Sequence, residues 1–370
     1  MSNSMLKVRR IVFWEPSLSP HKIDLIHAIK QIDPHIDILY LSARGMSESR
    51  KKLGWTEQGF DECIVNPSLD FIEKVLSEDI STTFHIFSGL KGGVMFEHAL
   101  PLVKKNKVQF ALLSEPRANE GFKGFLRYLH SWCSEIWIRD QVSYVFAIGA
   151  NGPIWFSSVG YEQDKIKPFA YFISTKNYNN LPVKNIDNCV VGFVGRLEKS
   201  KGFYDVVASS KLVPQSQFKI IGAGAGHDYI MNNLTNYPNI NYKGVVNGAN
   251  IPNEMSSLDI LVQPSTTDDG WCMVLSEALM AGCYVITTSK VGASLLLFCP
   301  EIGAVVDVEN PQHIAQVIQN AQLQGFLTVE MKQRRKEWAL RNLSAINAAK
   351  FLVNTLRGES QSPLFFDKHF

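Results

Sequence analysis

Two cations and two carboxylates are the residues of this sequence whose types and spacing could do chemistry. Arg196 and Lys201 follow the apolar run CVVGFVG, and Asp269 and Glu277 stand in PSTTDDGWCMVLSEALMAG with seven residues between them. Lysine and arginine bind phosphate through charge-assisted hydrogen bonds. A carboxylate accepts hydrogen bonds from sugar hydroxyls. Together the four residues predict a site for a nucleotide diphosphate.

The loop with the two cations is predicted to follow a strand directly. Gly195 lets the backbone turn, and Gly202 lets a ligand approach closely. Cations at the carboxyl end of a strand in an open α/β sheet lie where ligands bind. A solvated loop after a buried strand is the alternative. The segment Ile220–Gly226 (IIGAGAG) is an incomplete dinucleotide fingerprint, which we interpret as a tight turn that places Gly222 beside the same crevice.

The acidic segment predicts a strand end, a turn and a helix. Pro264 ends the strand, Asp268–Asp269–Gly270 supplies the turn and the N-cap, and residues 271–280 have helix-forming composition. Gly282 then closes the helix. Backbone N–H groups at such a helix start attract phosphate.

Glu277 is predicted to lie about 10 Å along this helix, at a rise of about 1.5 Å per residue. It shares a face with Gly270, Met273 and Val274, which suits contact with a ribose beyond the phosphates. A capping aspartate and a surface glutamate are the alternative. A glutamate on an otherwise apolar helix is costly without a partner, which favours binding.

Short apolar runs alternate with amphipathic segments along the whole chain, which predicts parallel sheets with helices on both faces. The polar segment 174–188 is the predicted linker. Strands are predicted before it at 11–14, 36–41, 83–87, 108–113, 135–138 and 168–173, and after it at 189–195, 218–222, 240–243, 260–263, 284–288 and 304–307. After Pro311 the chain is predicted to be helical to about Arg357.

Size and composition exclude several classes of protein. A length of 370 residues suits two domains, and a net charge of +2 gives no strong field for nucleic acid. The start has no signal-peptide pattern, and no run of about 18 apolar residues exists. Six cysteines show no metal-site spacing. We therefore expect a cytoplasmic protein, with peripheral contact at the inner face of the cytoplasmic membrane as a variant.

Residues 189–290 resemble the nucleotide-sugar half of GT-B glycosyltransferases, specifically the retaining family called glycosyl transferases group 1. Its marks appear here in the family's order: a GRL-xxx-KG loop, a glycine-rich turn, a KGxV segment, a Pro-Ser loop and two carboxylates with seven residues between them. In this chain they are Gly195–Leu197 with Lys201 and Gly202, then Ile220–Gly226, Lys243–Val246, Pro264 and Ser265, and the pair Asp269 and Glu277. The sequence departs from the family in having Asp269 for the usual first Glu and Trp271-Cys272 where Phe-Gly is common. It also has SLSPHK at 17–22 where many relatives have a Gly-Gly loop.

The resemblance implies a role for each matched residue. Arg196 and Lys201 neutralise the donor diphosphate, and Glu277 binds the ribose. The remaining donor contacts are expected from the backbone of Val245 and Val246 for the base, and from Asp269, Gly270, Trp271 and Cys272 for the sugar, with Gly222, Met273 and Val274 close by. Arg196, Lys201, Asp269 and Glu115 are the candidate catalytic residues.

The first domain offers weaker signals for the acceptor side. Glu115 and Arg117 in LLSEPR follow a predicted strand where the family often has a histidine, and a local ion pair is an equal alternative. His21 and Lys22 stand at a predicted helix start and are candidates to face the cleft.

Segment 121–132 (GFKGFLRYLHSW) predicts a basic, aromatic, amphipathic helix. Such a helix can lie on a membrane surface. Packing of the apolar stripe into the core is the more common outcome.

The combined prediction is a GT-B enzyme with two doubly wound Rossmann-like domains facing across a cleft. Residues 1–175 form the acceptor-side domain, 186–345 the nucleotide-sugar domain, and 346–370 a C-terminal helix and tail. The reaction expected is retaining transfer from a nucleotide-diphosphate sugar to a glycan or lipid-linked glycan in bacterial surface polysaccharide assembly, with neither metal nor cofactor. The alternatives are a GT-B epimerase or hydrolase, and a non-catalytic binding subunit. A nicotinamide dehydrogenase is disfavoured because EPSLSP, with no glycine fingerprint, follows the first strand.

Overall fold

The computed structural model describes residues 8–48, 60, 62–118, 120–183, 188–359 and 362–370, without the side chains of Pro20 and His21. The predicted role of His21 therefore lies outside the described residues. The chain divides into two compact units. The first comprises Met1–Ile173 and Ala345–Phe365, and the second comprises Ser174–Ser344 and Phe366–Phe370.

A seven-stranded parallel sheet is the centre of the first unit, in the order β3-β2-β1-β4-β5-β6-β7. Ile11 to Trp14 are fully buried, as expected where helices cover both faces of a sheet. Its strands are β1 (Arg10–Glu15), β2 (Asp37–Ser42), β3 (Cys63–Val65), β4 (Thr83–Phe87), β5 (Phe110–Ser114), β6 (Tyr144–Ile148) and β7 (Ile166–Phe169).

Helices connect and cover these strands. The C-terminal helix Ala345–Arg357 packs against Pro20–Ile32, where Arg357 and Asp33 form an ion pair. Among the described residues before position 174, the helices are α1 (Pro20–Ile32), α2 (Leu69–Val75), α3 (Val94–Asn106), α4 (Gly121–Ser134), α5 (Ile136–Gln141) and α6 (Asn151–Ser158).

The second unit has a six-stranded parallel sheet in the order β10-β9-β8-β11-β12-β13. Its strands are β8 (Val190–Val194), β9 (Gln217–Ile221), β10 (Ile240–Gly244), β11 (Ile260–Gln263), β12 (Tyr284–Thr288) and β13 (Gly303–Val306). The helices from residue 174 onward are α7 (Lys176–Asn179), α8 (Phe203–Ser210), α9 (His227–Asn233), α10 (Ile251–Ser256), α11 (Met273–Met280), α12 (Pro311–Leu323), α13 (Val329–Asn342) and α14 (Ala345–Arg357), with α14 belonging to the first unit.

A buried cationic helix face distinguishes the second unit. On α13, Lys332 and Asp259 form a buried ion pair, and Arg335 donates hydrogen bonds to the carbonyl oxygens of Gly282, Glu301 and Phe326 at 3.0, 2.8 and 2.7 Å. Because Lys332 pairs with a carboxylate and Arg335 Nε and Nη1 donate to carbonyl oxygens, these cations hold α13 against the end of the sheet.

The prediction of two doubly wound parallel sheets is confirmed, and every strand predicted after the linker exists within one or two residues. The strand predicted at 135–138 is wrong: the segment lies at the start of α5, and the sheet strand is β6 instead. The strand predicted at 168–173 ends at Phe169, and the short β3 was missed. Within the described residues, no helix is long and apolar enough to cross a bilayer.

Candidate functional site

The strand order of the second unit places a crevice between β8 and β11. From β8 the chain winds outward through β9 and β10, and from β11 it winds the other way through β12 and β13. Ligands bind at such a reversal, outside the carboxyl ends of the strands. The loop after β8 carries Arg196 and Lys201, and the loop after β11 carries Asp269. Topology therefore brings together residues that are about seventy positions apart in sequence.

Close backbone contact fixes the two loops to each other. Gly202 has φ +70°, and a Cβ atom there would lie 2.1 Å from the carbonyl oxygen of Pro264. The Thr266 N–H donates to the Ser200 carbonyl at 3.0 Å, and the Thr266 hydroxyl donates to the Lys199 carbonyl at 3.2 Å. Glycine at 202 thus serves contact between the loops, in addition to any approach of a ligand.

The glycine-rich turn after β9 packs on the same loop. Gly222 has φ +135°, and a Cβ atom there would lie 1.8 Å from the Gly195 carbonyl oxygen. The Leu197 N–H donates to the Ala223 carbonyl at 3.0 Å. The turn was predicted to line the crevice, and the structure places it against the loop that carries Arg196.

Lys201 and Asp269 form an ion pair in the crevice, with side chains 18% and 14% exposed. The Ser265 hydroxyl donates to the second oxygen of Asp269 at 2.7 Å. The sequence predicted separate tasks, phosphate for Lys201 and sugar hydroxyls for Asp269. The structure makes them one unit, in which the carboxylate orients the ammonium group.

Arg196 is the exposed cation of this loop. Its side chain is 61% exposed, and its guanidinium lies 2.8 Å from a carboxylate oxygen of Glu198. Since an exposed ion pair is weak, the side chain can exchange Glu198 for a phosphate at little cost.

The start of α11 differs from the prediction. The helix begins at Met273, and Cys272 at the N-cap position has a left-handed backbone with φ 60° and gives no side-chain cap. Asp269 does not cap the helix, because its carboxylate is held by Lys201 and Ser265. The N–H groups of Met273 and Val274 open the helix, and both side chains are partly buried.

Trp271 lies in the core, not on the crevice surface. Its side chain is 1% exposed, and the indole N–H donates to the Ser276 hydroxyl at 3.0 Å. Contact between the Trp271 side chain and a donor sugar is therefore ruled out in this arrangement, and only its backbone, with that of Gly270, remains a candidate. The bulky side chain instead anchors the loop beneath the crevice.

Glu277 is half-buried on α11 and has a partner that sequence reasoning missed. The Tyr178 hydroxyl donates to Glu277 Oε1 at 3.3 Å. Burial raises the pKa of Glu277 to about 7, and the Tyr178 hydrogen bond partly opposes that rise. Tyr178 lies in the segment predicted as a linker, where an aromatic residue among polar ones was the available signal.

We expect affinity for a nucleoside diphosphate to fall as pH drops through about 7. Ribose hydroxyls donate to the carboxylate form of Glu277, and protonation near its pKa of about 7 removes that acceptor. Calorimetric titration between pH 5.5 and 8.5, about one and a half units either side, would measure the change. Tyr178→Phe should move the midpoint upward, because the hydrogen bond that favours the carboxylate is lost. A flat profile in both proteins would contradict this prediction.

The predicted base contacts lie on the loop after β10. Val245 is 75% exposed, whereas Val246 is partly buried. The Tyr242 hydroxyl donates to the Gly222 carbonyl at 3.0 Å, which joins this strand to the glycine-rich turn. The loop is therefore connected to the crevice by hydrogen bonding.

In the first unit, Lys22 is buried at the carboxyl end of β1. Its ammonium lies 3.3 Å from Glu15 Oε1, both side chains are almost fully buried, and the Ser88 hydroxyl also donates to Glu15. Burial lowers the pKa of Lys22, and Glu15 opposes that shift. Lys22 lines a cavity of about 250 Å³ together with Glu115, and its place facing the cleft stays a prediction. Glu15 and Ser88 were missed because nothing in their local sequence marks them.

Arg117 is separate from the Glu115 cavity. Its guanidinium pairs with the buried Glu135 at 2.6 Å and donates to the Ser131 hydroxyl at 2.7 Å. Tyr161 donates to the other Glu135 oxygen at 2.9 Å. Arg117 thus holds α4 against the body of the unit, and its ion pair with Glu135 is not the local pair that was the alternative.

Comparison with known proteins agrees with this geometry. Residues 177–338 match the model of the family described as Glycosyl transferases group 1. They include Arg196, Lys201, Asp269 and Glu277. Among curated proteins, none matches the chain by sequence.

Solved structures of GT-B glycosyltransferases share the fold over their whole length. Anabaena Alr3699/HepE in complex with UDP is 18% identical, with a TM-score of 0.71, and the match covers 94% of this chain and 100% of the HepE chain. The lipopolysaccharide outer core galactosyltransferase WaaB is 15% identical, with a TM-score of 0.69 and coverage of 95% and 100%. Sucrose-phosphate synthase from Thermosynechococcus elongatus is 13% identical, with a TM-score of 0.65 and coverage of 95% and 99%. The fold class is therefore GT-B, as predicted.

Proposed function

We propose that this chain is a retaining glycosyltransferase that uses a nucleotide-diphosphate sugar. The proposal rests on the crevice between β8 and β11. Arg196, Lys201 and the first N–H groups of α11 all follow the carboxyl ends of these two strands. Glu277 lies on the same helix, with its carboxylate oriented by Tyr178. Cations and N–H groups suit a diphosphate, and the carboxylate suits a ribose.

The chemistry proposed for the crevice is stabilisation of the leaving diphosphate. Negative charge grows on that group as the glycosidic bond breaks, and fixed cations bind the charged transition state better than the ground state. Asp269 supports this role by holding Lys201 in place. The proposal that configuration is retained at the anomeric carbon rests on the family resemblance.

A uridine diphosphate sugar is the first donor to test. Structures of Anabaena Alr3699/HepE contain UDP and UDP-glucose, at 18% and 16% identity to this chain. For the acceptor we propose a glycan or lipid-linked glycan, with Glu115, Lys22 and their cavity as the candidate site in the first unit. The setting proposed is assembly of bacterial surface polysaccharide on the cytoplasmic side, and WaaB, an outer core galactosyltransferase, supports it as an analogy.

A panel of nucleotide sugars tests the proposal in two stages. Specific binding should raise the unfolding temperature for one nucleotide above the others. Transfer with that donor to glycan and lipid-linked acceptors should then give a product with retained anomeric configuration, measurable by NMR. Free sugar formed without acceptor would assign a hydrolase or epimerase instead. Binding without turnover on any acceptor would assign a non-catalytic subunit.

Metal independence is a further expectation of this proposal. Within the described residues, no group of three or more His, Cys, Asp and Glu side chains could hold a metal ion. Arg196, Lys201 and the start of α11 supply the positive field that a metal would otherwise provide. We expect unchanged kcat in excess EDTA and no gain from magnesium or manganese. Loss of activity in EDTA with recovery in manganese would overturn this account and make Asp268 and Asp269 candidate ligands.

A further inference from the structure

Helix α4 (Gly121–Ser134) presents a large apolar surface to solvent. Its apolar residues follow the helical spacing i, i+3, i+4, i+7 and i+10, so they share one face. These residues are Phe122, Phe125, Leu126, Leu129 and Trp132, with exposed fractions of 74, 54, 49, 41 and 45%. Ile136, at the start of α5, is 55% exposed. These six residues are called the apolar face below. Packing into the core, the more common outcome for such a stripe, is therefore wrong here.

Small residues attach α4 to the body of the first unit. Only Gly124 and Ser131 are buried on this helix, and Tyr128 between them is half-buried. Gly124, Tyr128 and Ser131 follow the spacing i, i+4 and i+7 and form one narrow line of contact. The apolar face points away from that line. Trp132 stacks on Tyr128 and lies under the Arg139 guanidinium. The other residues of the apolar face are largely exposed, and an exposed apolar patch of this kind marks an interaction site.

Basic residues flank the apolar face. Lys123, Arg127 and His130 are exposed at spacing i, i+4 and i+7, and α4 itself contains no acidic residue. Glu120 precedes the helix, and Asp140 follows on α5. A groove of about 650 Å³ beside the helix is lined by Lys91, Arg117, Arg127 and His130 among others. Lys123 and Arg127 thus place two exposed cations along one side of the apolar face.

We propose that the apolar face docks on a membrane that contains anionic phospholipid. Aromatic and aliphatic side chains would enter the boundary between headgroups and acyl chains, and the flanking cations would contact lipid phosphates. A second copy of the chain is a poorer occupant. In a two-fold symmetric contact each residue meets the same surface, so Lys123 and Arg127 would face like charges with no acidic residue of α4 to offset them. This proposal goes beyond the transferase reaction and does not depend on it.

Vesicle co-sedimentation of the full chain tests the proposal without donor or acceptor. We expect binding to phosphatidylcholine vesicles that contain phosphatidylglycerol, weaker binding to phosphatidylcholine alone, and release as salt rises. Lys123→Gln with Arg127→Gln should lower the partition coefficient about thirtyfold, since each cation near an anionic surface contributes roughly fivefold. Phe122→Ser with Phe125→Ser should abolish binding while preserving the unfolding temperature, because both side chains are exposed.

A matched control removes the same two charges elsewhere. Lys350 and Arg341 are exposed on α14 and α13. Lys350→Gln with Arg341→Gln should leave vesicle binding unchanged. Equal binding of all variants, or equal binding to neutral and anionic vesicles, would overturn the proposal. Concentration-dependent dimerisation that disappears in the phenylalanine variant, without vesicle binding, would assign the face to a second copy and also overturn it.

Discussion

Lys201→Ala and Arg196→Ala are each expected to lower kcat about 10²–10³-fold, the effect of removing one donor that stabilises a developing anion. Affinity for the nucleoside diphosphate should fall far less, because the charge on the leaving group grows only as the glycosidic bond breaks. Steady-state kinetics and calorimetry on each variant would separate the two effects.

The same loop supplies a matched control. Lys199 is 78% exposed and pairs with Glu309 at 3.0 Å, so Lys199→Ala removes a charge two residues from Lys201 without touching the crevice. It should leave kcat unchanged. Lys201→Ala also removes one of the two partners of Asp269, so the unfolding temperature of this variant must be measured. Arg196→Ala, at an exposed position, is the variant without that complication. Equal losses in affinity and kcat would indicate anchoring of the ground state instead.

Glu277→Gln is expected to weaken binding of the nucleoside diphosphate tenfold to a hundredfold. The substitution keeps size and the hydrogen bond from Tyr178 but removes the charged acceptor for ribose hydroxyls. Hydrogen bonds to a charged group contribute about 1.5–3 kcal/mol. Calorimetry at pH 8, above the Glu277 pKa of about 7, gives the clearest comparison.

Two observations would check the assignment of Glu277. The variant should lose the dependence of affinity on pH, because the titrating group is gone. Glu337→Gln, which changes an exposed glutamate on α13, should bind like the unmodified protein. Unchanged affinity in Glu277→Gln would remove the ribose role and leave Glu277 as a half-buried partner of Tyr178.

Sequence patterns predicted both sheets because their signals are local. Strands such as β11 and β12 are short apolar runs between turn residues, and helices with clear spacing separate them. Local signals also explain why the strand predicted at 135–138 was wrong, since a short apolar run fits either a strand or a buried helix segment. In the helical arrangement Glu135 pairs with Arg117 and Tyr161, and no local sequence pattern predicts these contacts.

The sequence supplied the candidate residues of the site but not the contacts between their side chains. Motif order located Arg196, Lys201, Asp269 and Glu277, whereas the ion pair between Lys201 and Asp269 joins residues 68 positions apart. Such pairings follow from strand order, which the sequence does not state. Trp271 was assigned to a sugar contact because its position matched the motif, whereas its side chain is buried and donates a hydrogen bond to Ser276. A binding role inferred from a motif match can be assigned to a side chain only when the fold shows whether that side chain is accessible.

The crevice loops are locked together through their backbones, and this limits how donor preference can change. Gly202 touches Pro264 and Gly222 touches Gly195 with no room for a side chain, so none of the three loops can move without displacing another. Exchanging a single loop with that of a relative should therefore destabilise the folded protein before it changes the preference for a donor. Successful redesign would transplant the loops after β8, β9 and β11 as a set. Otherwise it would be confined to outward positions such as Val245, where a new side chain displaces only solvent.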